Sequence, residues 1–173
     1  MCHNHSSLCV RWVLAHENDK SFMAKLRKAG SETTAPQAWE LLARWIDLDN
    51  PWERRAFSLV GANLTHTKAS VDGTLGVGAA LRTLFMQKDG GKEIETSSEA
   101  ARLRRLLSCR DQEELVNILN PIIRYLTTKG VMLSFARLLD ELLYFNVETS
   151  QERTKIRWVQ EFHQKTWTQE NEQ

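Results

Sequence analysis

A chain of 173 residues supplies one sizeable hydrophobic core and at most two small lobes. Its 23 basic residues meet 22 acidic ones for a net charge of +1. That excludes the strongly basic balance of an autonomous DNA-binding domain, so any nucleic-acid surface must come from charge sorted onto one face or from assembly with other subunits. Three cysteines without regular spacing, Cys2, Cys9 and Cys109, argue against a disulfide framework and for a reducing, cytoplasmic setting; no apolar run reaches the length of a membrane span, and the first residues hold no signal-peptide apolar region.

Residues 1–18 read as a flexible N-terminal extension. Cys2, His3, His5 and Cys9 lie within it, but their spacing matches no standard zinc pattern, so no metal or other cofactor is assigned. An N-terminal helical lobe follows over 19–87. Phe22, Met23 and Leu26 give its first helix an apolar stripe, Lys25, Arg27 and Lys28 lie on the other sides, and Gly30 is placed to end it in a left-handed conformation. Thr34-Ala35-Pro36 opens a second helix with Trp39, Leu42, Ala43 and Ile46 inward. Asn50-Pro51-Trp52-Glu53 starts a third, as a cap, a first-turn proline and a capping-box glutamate, and Phe57, Val60 and Leu64 continue its stripe. The stretch THTKASVDGTLG over 65–76 is the first long loop and contains His66 and Lys68. Gly73, Gly76 and Gly78 have neither the preceding strand nor the spacing of a phosphate-cradling motif, and read as turns or close approaches. Val77, Leu81, Leu84 and Phe85 form a short helix.

Lys88 to Glu93 breaks all periodicity, so 88–95 is the linker to a C-terminal lobe over 96–168, with a frayed tail at 169–173. The stretch TSSEAARLRRLLSCR, Thr96 to Arg110, organises this half. Thr96 and Glu99 form a capping box; Leu103, Leu106 and Leu107 make the stripe; Arg102 and Arg105 lie one turn apart on its flank. Guanidinium forks suit phosphate, although solvated arginines with local carboxylate partners are the commoner use of such a face. Asp111 and Glu114 box the next helix, in which Pro121 predicts a kink or break and which Lys129-Gly130 ends. Ser134 caps the most apolar helix, Phe135 to Phe145, expected at the centre of this lobe, where Arg137 is one turn from Glu141. Thr149 and Glu152 box the last helix, with Ile156, Val159 and Phe162 inward. Most of the tryptophans, Trp12, Trp39, Trp45, Trp52, Trp158 and Trp167, are expected to pack the core. The fold class is all-α: two small helical lobes packed as one elongated helical protein.

No catalytic set emerges. The histidines sit in no nucleophile or metal motif, Cys109 reads as a small buried hydrophobe, and neighbouring Asp140 and Glu141 point about 100° apart on a helix. The expectation is a protein that is not an enzyme.

Taken in order, these elements resemble a known family. The basic helix FMAKLRK, the loop THTK ending in GVGAALR, the stretch ARLRRLLSCRDQEEL and the stretch KGVMLSFARLL are together similar to CasB, the small subunit of the type I-E CRISPR surveillance complex Cascade. The resemblance spans residues 20–165. It implies an all-helical, non-catalytic subunit in antiviral defence. Copies of it line up beside backbone subunits and touch the large subunit, and a basic surface helps hold the guide–target hybrid and the displaced DNA strand. By position, it implies nucleic-acid contact at Arg27, Lys28, Lys68, Arg102, Arg105 and Arg137. Trp52 and Asn120 depart from the pattern, standing where some members carry arginine, and the extension with Cys2 and Cys9 lies outside it. The competing expectation is a helical protein–protein adaptor whose arginines only make salt bridges. A helix-turn-helix regulator is disfavoured, because the helix after Arg110 begins with acidic residues that a phosphate groove would repel.

Overall fold

The computed structural model describes residues 3–89 and 93–164. Nine α-helices and no strand are found among them: α1 His3–Ala15, α2 Lys20–Arg27, α3 Trp39–Leu42, α4 Pro51–Leu64, α5 Val77–Asp89, α6 Ser98–Ser108, α7 Gln112–Thr128, α8 Phe135–Leu143 and α9 Glu148–His163. The all-α expectation holds.

Local chemistry explains most of the helix starts. Asp19, Asn50, Ser97, Asp111 and Ser134 each accept a backbone amide of the first turn that follows, which satisfies a donor the helix itself leaves open. The cap of α6 is therefore Ser97 and not Thr96, which belongs to a 3-10 turn over Ile94–Thr96. Helix α9 starts after Val147 without a side-chain cap, so the expected Thr149 box does not form. Gly30 is not left-handed. It closes a 3-10 turn, Lys28–Gly30, and its missing side chain lets Ala62 of α4 approach: a Cβ there would stand 3.0 Å from the Ala62 Cβ. Among the described residues, the left-handed glycine is Gly130, φ 71°, at the end of α7. Pro121 lies within α7 without breaking it.

The largest correction concerns residues 1–18. Most of that segment is α1, and Val10, Val13 and Leu14 are buried, with Cys9 beside them. Helix α1 packs against α8 and α4. The helices also sort differently from the two halves of the sequence. Helix α5 packs on α9 and α6, whereas α8 packs on α1 and α4, and one continuous apolar core runs from Cys9 to Phe162. Trp158, Phe145 and Phe162 are fully buried within it, each worth about 2–3 kcal/mol by apolar area. Trp158 replaces Val159 on the inner face of α9, and Ile156, expected inward, is 49% exposed. Trp12 and Trp45 pack against the core, but Trp39 and Trp52 are exposed under the guanidinium groups of Arg54 and Arg55. Trp167 and the 169–173 tail lie outside the described residues.

The 65–76 loop is stitched down rather than free. Leu75 pairs with the segment before α8 as an isolated parallel bridge: its amide donates to Met132 O at 3.3 Å, and Ser134 N donates to Leu75 O at 2.8 Å. A Cβ on Gly73 would overlap the Met132 carbonyl, and one on Gly78 the Trp158 carbonyl, so these glycines serve close approach, as their spacing suggests.

Candidate nucleic-acid interface

The end of α4 delivers the chain into a cationic cluster. Thr65 is buried there and donates its hydroxyl to Ala62 O at 2.7 Å. Arg27, at the end of α2, reaches across to donate from Nε to Thr65 Oγ1 at 3.3 Å and from Nη2 to Thr65 O at 3.4 Å. His66 and Lys68 follow, both exposed. Arg124 of α7 stands close enough that its charge, with that of Arg27, adds to partial burial in holding the His66 imidazole below its ordinary value. Lys68 borders both a groove shared with Lys20 and Arg27 and a cavity shared with His66 and Arg124. Four cationic or titratable groups from three elements thus converge, and Arg27, Lys68 and Arg124 pair with no carboxylate among the described residues. Glu17 lines the same groove and Asp72 the same cavity, but neither pairs with these cations, which leaves them suited to an anion from outside.

Arg124 escaped the sequence reading. The available signal was that it is the single basic residue within α7, on the outward row with Asn117, Pro121 and Thr128.

Arg102 of α6 reaches over Tyr125 of α7. Its guanidinium is 4.8 Å from the Tyr125 ring centroid, and Lys129 Nζ approaches the same ring at 5.7 Å. Arg102 also donates to Glu99 at 3.3 Å, and Lys88 comes within 3.7 Å of that carboxylate, whose side chain is fully buried. Arg105, one turn on, is exposed and has no side-chain partner among the described residues; Arg104 donates to Glu95 O. Lys28 donates to Gln37 at 2.6 Å.

Arg137 is committed differently. It donates to Glu141 at 3.1 Å, as the one-turn spacing suggests, and forms a second ion pair with Glu161. Glu141 is buried and also accepts from Trp158 Nε1 at 2.9 Å and Arg157 at 3.4 Å. Burial outweighs these partners and holds the Glu141 carboxyl above the ordinary carboxylate range. A Cβ on Gly76 would collide with this cluster, so the loop passes directly over it.

Both described cysteines are reduced and buried. Burial pushes the Cys9 thiol up to about 12 and the Cys109 thiol up to about 11, too high for a nucleophile at neutral pH. His5 donates to Trp45 O at 2.8 Å. Cys2 lies outside the described residues. Among the described residues, no three His, Cys, Asp or Glu side chains gather as a metal site, and no helix is long and apolar enough to cross a membrane.

The described residues form a small all-helical protein with basic side chains gathered at one loop. Residues 22–163 match the family model of CRISPR-associated protein Cse2, and the chain belongs to that family. The match begins at Phe22, so α1 lies outside it. Among solved structures, the chain is similar to one described as a CRISPR RNA-guided surveillance complex, with 20% identity, a TM-score of 0.75 and 94% of each chain covered. It is also similar to CasB from Thermobifida fusca (18% identity, TM-score 0.68, 94% of this chain and 97% of that one) and to CasB from M. ruber (22% identity, TM-score 0.63, 83% of each). At these identities the likeness is one of fold. No curated protein matches the chain.

Proposed function

We propose that this protein is the non-catalytic small subunit of a type I-E CRISPR effector complex in antiviral defence. In this reading it packs against the backbone and large subunits and against another copy of itself. It grips the nucleic-acid backbone, both the displaced DNA strand and the guide–target hybrid. The observation that carries the reading is the convergence of Arg27, Lys68 and Arg124 around His66 with no carboxylate partner among the described residues. In a guided complex, base pairing reads sequence, so a helper subunit needs only arginine and lysine along a face. In this reading Arg105, exposed on α6, offers a further phosphate contact. Lys28 and Arg102 contribute by exchanging their present partners, Gln37 and Glu99, for phosphate.

The adaptor reading draws on a different observation. Arg55, Arg102 and Arg137 each hold a carboxylate of the same chain, and in Arg137 the pairing is twofold. In our reading, Arg137 therefore anchors α8 to α9 and leaves phosphate to the others.

Binding of labelled single- and double-stranded DNA by the purified chain across a salt series separates the two. Backbone grip gives sequence-independent affinity that falls steeply with salt. A pure adaptor gives no binding at any salt.

A further inference from the structure

Next to the cationic cluster is a half-open cavity of about 810 Å³, between the 65–76 loop and the α7–α8 connection. Its lining includes the buried apolar side chains Leu14, Leu64 and Phe135, and Val71 and Met132, which are 67% and 45% exposed. His66, Lys68 and Arg124 border it as well. Asp72 is the one acidic residue of the lining, and it spends both carboxylate oxygens on the start of α8, accepting from Phe135 N, Ala136 N and the Ser134 hydroxyl. The result is an apolar hollow with a cationic border.

We propose that this cavity takes one unstacked base of a single-stranded nucleic acid, with the flanking phosphates on Lys68, Arg124 and Arg27. The proposal rests on the backbone-gripping reading above and adds a base subsite to it. The combination fits a nucleotide in three ways. The hollow is of the size that holds small ligands. An unpaired base leaves its stack at low cost, whereas a paired one does not. The His66 ring at the border offers a plane on which any base can stack. A protein side chain would fill the hollow but leave Lys68 and Arg124 at its border without an added anion, a costly arrangement once water is excluded.

The test uses a 12-residue oligo-dT and the same oligomer with abasic sites, titrated at low salt against the wild-type chain, Ala69→Trp and Lys68→Ala/Arg124→Ala. Ala69 lines the cavity, and a tryptophan there fills it. The base subsite predicts that wild type binds oligo-dT about tenfold more tightly than the abasic oligomer. Ala69→Trp should abolish that preference while leaving abasic binding unchanged. Should that variant not fold, Thr128→Trp, at the exposed end of α7, blocks the same space. Equal affinity for the two oligomers, with a salt dependence that Lys68→Ala/Arg124→Ala still weakens, overturns the base subsite and leaves the backbone grip standing. No binding of either oligomer overturns both. Loss of co-purifying partner subunits in Ala69→Trp, with oligo-dT binding intact, assigns the cavity to a protein side chain and overturns the proposal.

Discussion

Asp72 Oδ1 accepts the backbone amide of Phe135 at 2.7 Å, joining residues 63 positions apart. Its other oxygen accepts from Ala136 N at 3.0 Å and from the Ser134 hydroxyl at 3.2 Å, and Oδ1 also takes Gly73 N at 3.0 Å. One carboxylate therefore caps α8 and fixes the loop that carries His66 and Lys68. Asp72→Ala leaves those amides without their acceptor and is expected to cost about 1–3 kcal/mol. Chemical denaturation checks this. Oligonucleotide affinity should fall in the same variant, although Asp72 is itself an anion, because the loop loses its anchor.

Gly78 gives a second test of packing. Its α-carbon faces the Trp158 backbone so closely that a Cβ would overlap the carbonyl oxygen. Backbone cannot swing aside as a side-chain tip does, so Gly78→Ala must separate α5 from α9. The expected loss is about 2–4 kcal/mol, read from the shift in denaturation midpoint. Gly130→Ala, at the left-handed end of α7 with open space around it, should lose less, about 1–2 kcal/mol, from backbone strain alone.

Glu141 predicts how stability changes with pH. Its folded-state carboxyl holds a proton more tightly than the unfolded one, since burial outweighs Trp158, Arg137 and Arg157. The folded state then binds more protons than the unfolded state between the ordinary carboxylate value and the raised one. Stability from this group is therefore full below the ordinary value and declines as pH rises through that window. Glu141→Gln removes the decline. The stability of wild type relative to Glu141→Gln should fall as pH rises from about 4.5 toward neutrality; a flat or rising difference contradicts this.

His66 predicts how binding changes with pH. Partial burial first, then Arg124 and Arg27, hold its imidazole below the ordinary value in the free protein. Lys68 and Asp72 line the same cavity, the latter committed to α8. A bound phosphate counters the two arginine charges and raises the imidazole, so binding takes up a proton. Affinity should therefore rise as pH falls through and below about 6.5, and His66→Gln should flatten the profile.

The sequence exposed the fold where a cap and a stripe coincide. Asn50, Asp111 and Ser134 announce α4, α7 and α8 because a side-chain oxygen must satisfy the first-turn amides. Helix α1 was hidden because His3, His5 and Cys9 draw the eye as ligands, yet Cys9, Val10, Val13 and Leu14 recur at helical spacing and are its buried face. In α9, Trp158 outweighed Val159 because a large aromatic surface takes the inner position when both are within reach. The cationic cluster was only half legible. Arg27 and Lys68 lie in basic local contexts, but Arg124 sits among apolar residues and meets His66 only when α7 packs on α4, which no local pattern reveals. The pairing of Arg137 with Glu141 follows from spacing alone; its bond to Glu161, 24 residues away, does not.

The most direct test of the backbone grip is the salt dependence of single-stranded DNA binding by wild type and by Lys68→Ala/Arg124→Ala. Neither side chain has a partner within the described residues, so the double variant should fold as wild type does. If both cations meet phosphates, the slope of log affinity against log salt should flatten by roughly 1.4, about 0.7 for each phosphate no longer neutralised. An unchanged slope, with the double variant binding as tightly as wild type, would contradict the assignment of this cluster to nucleic acid.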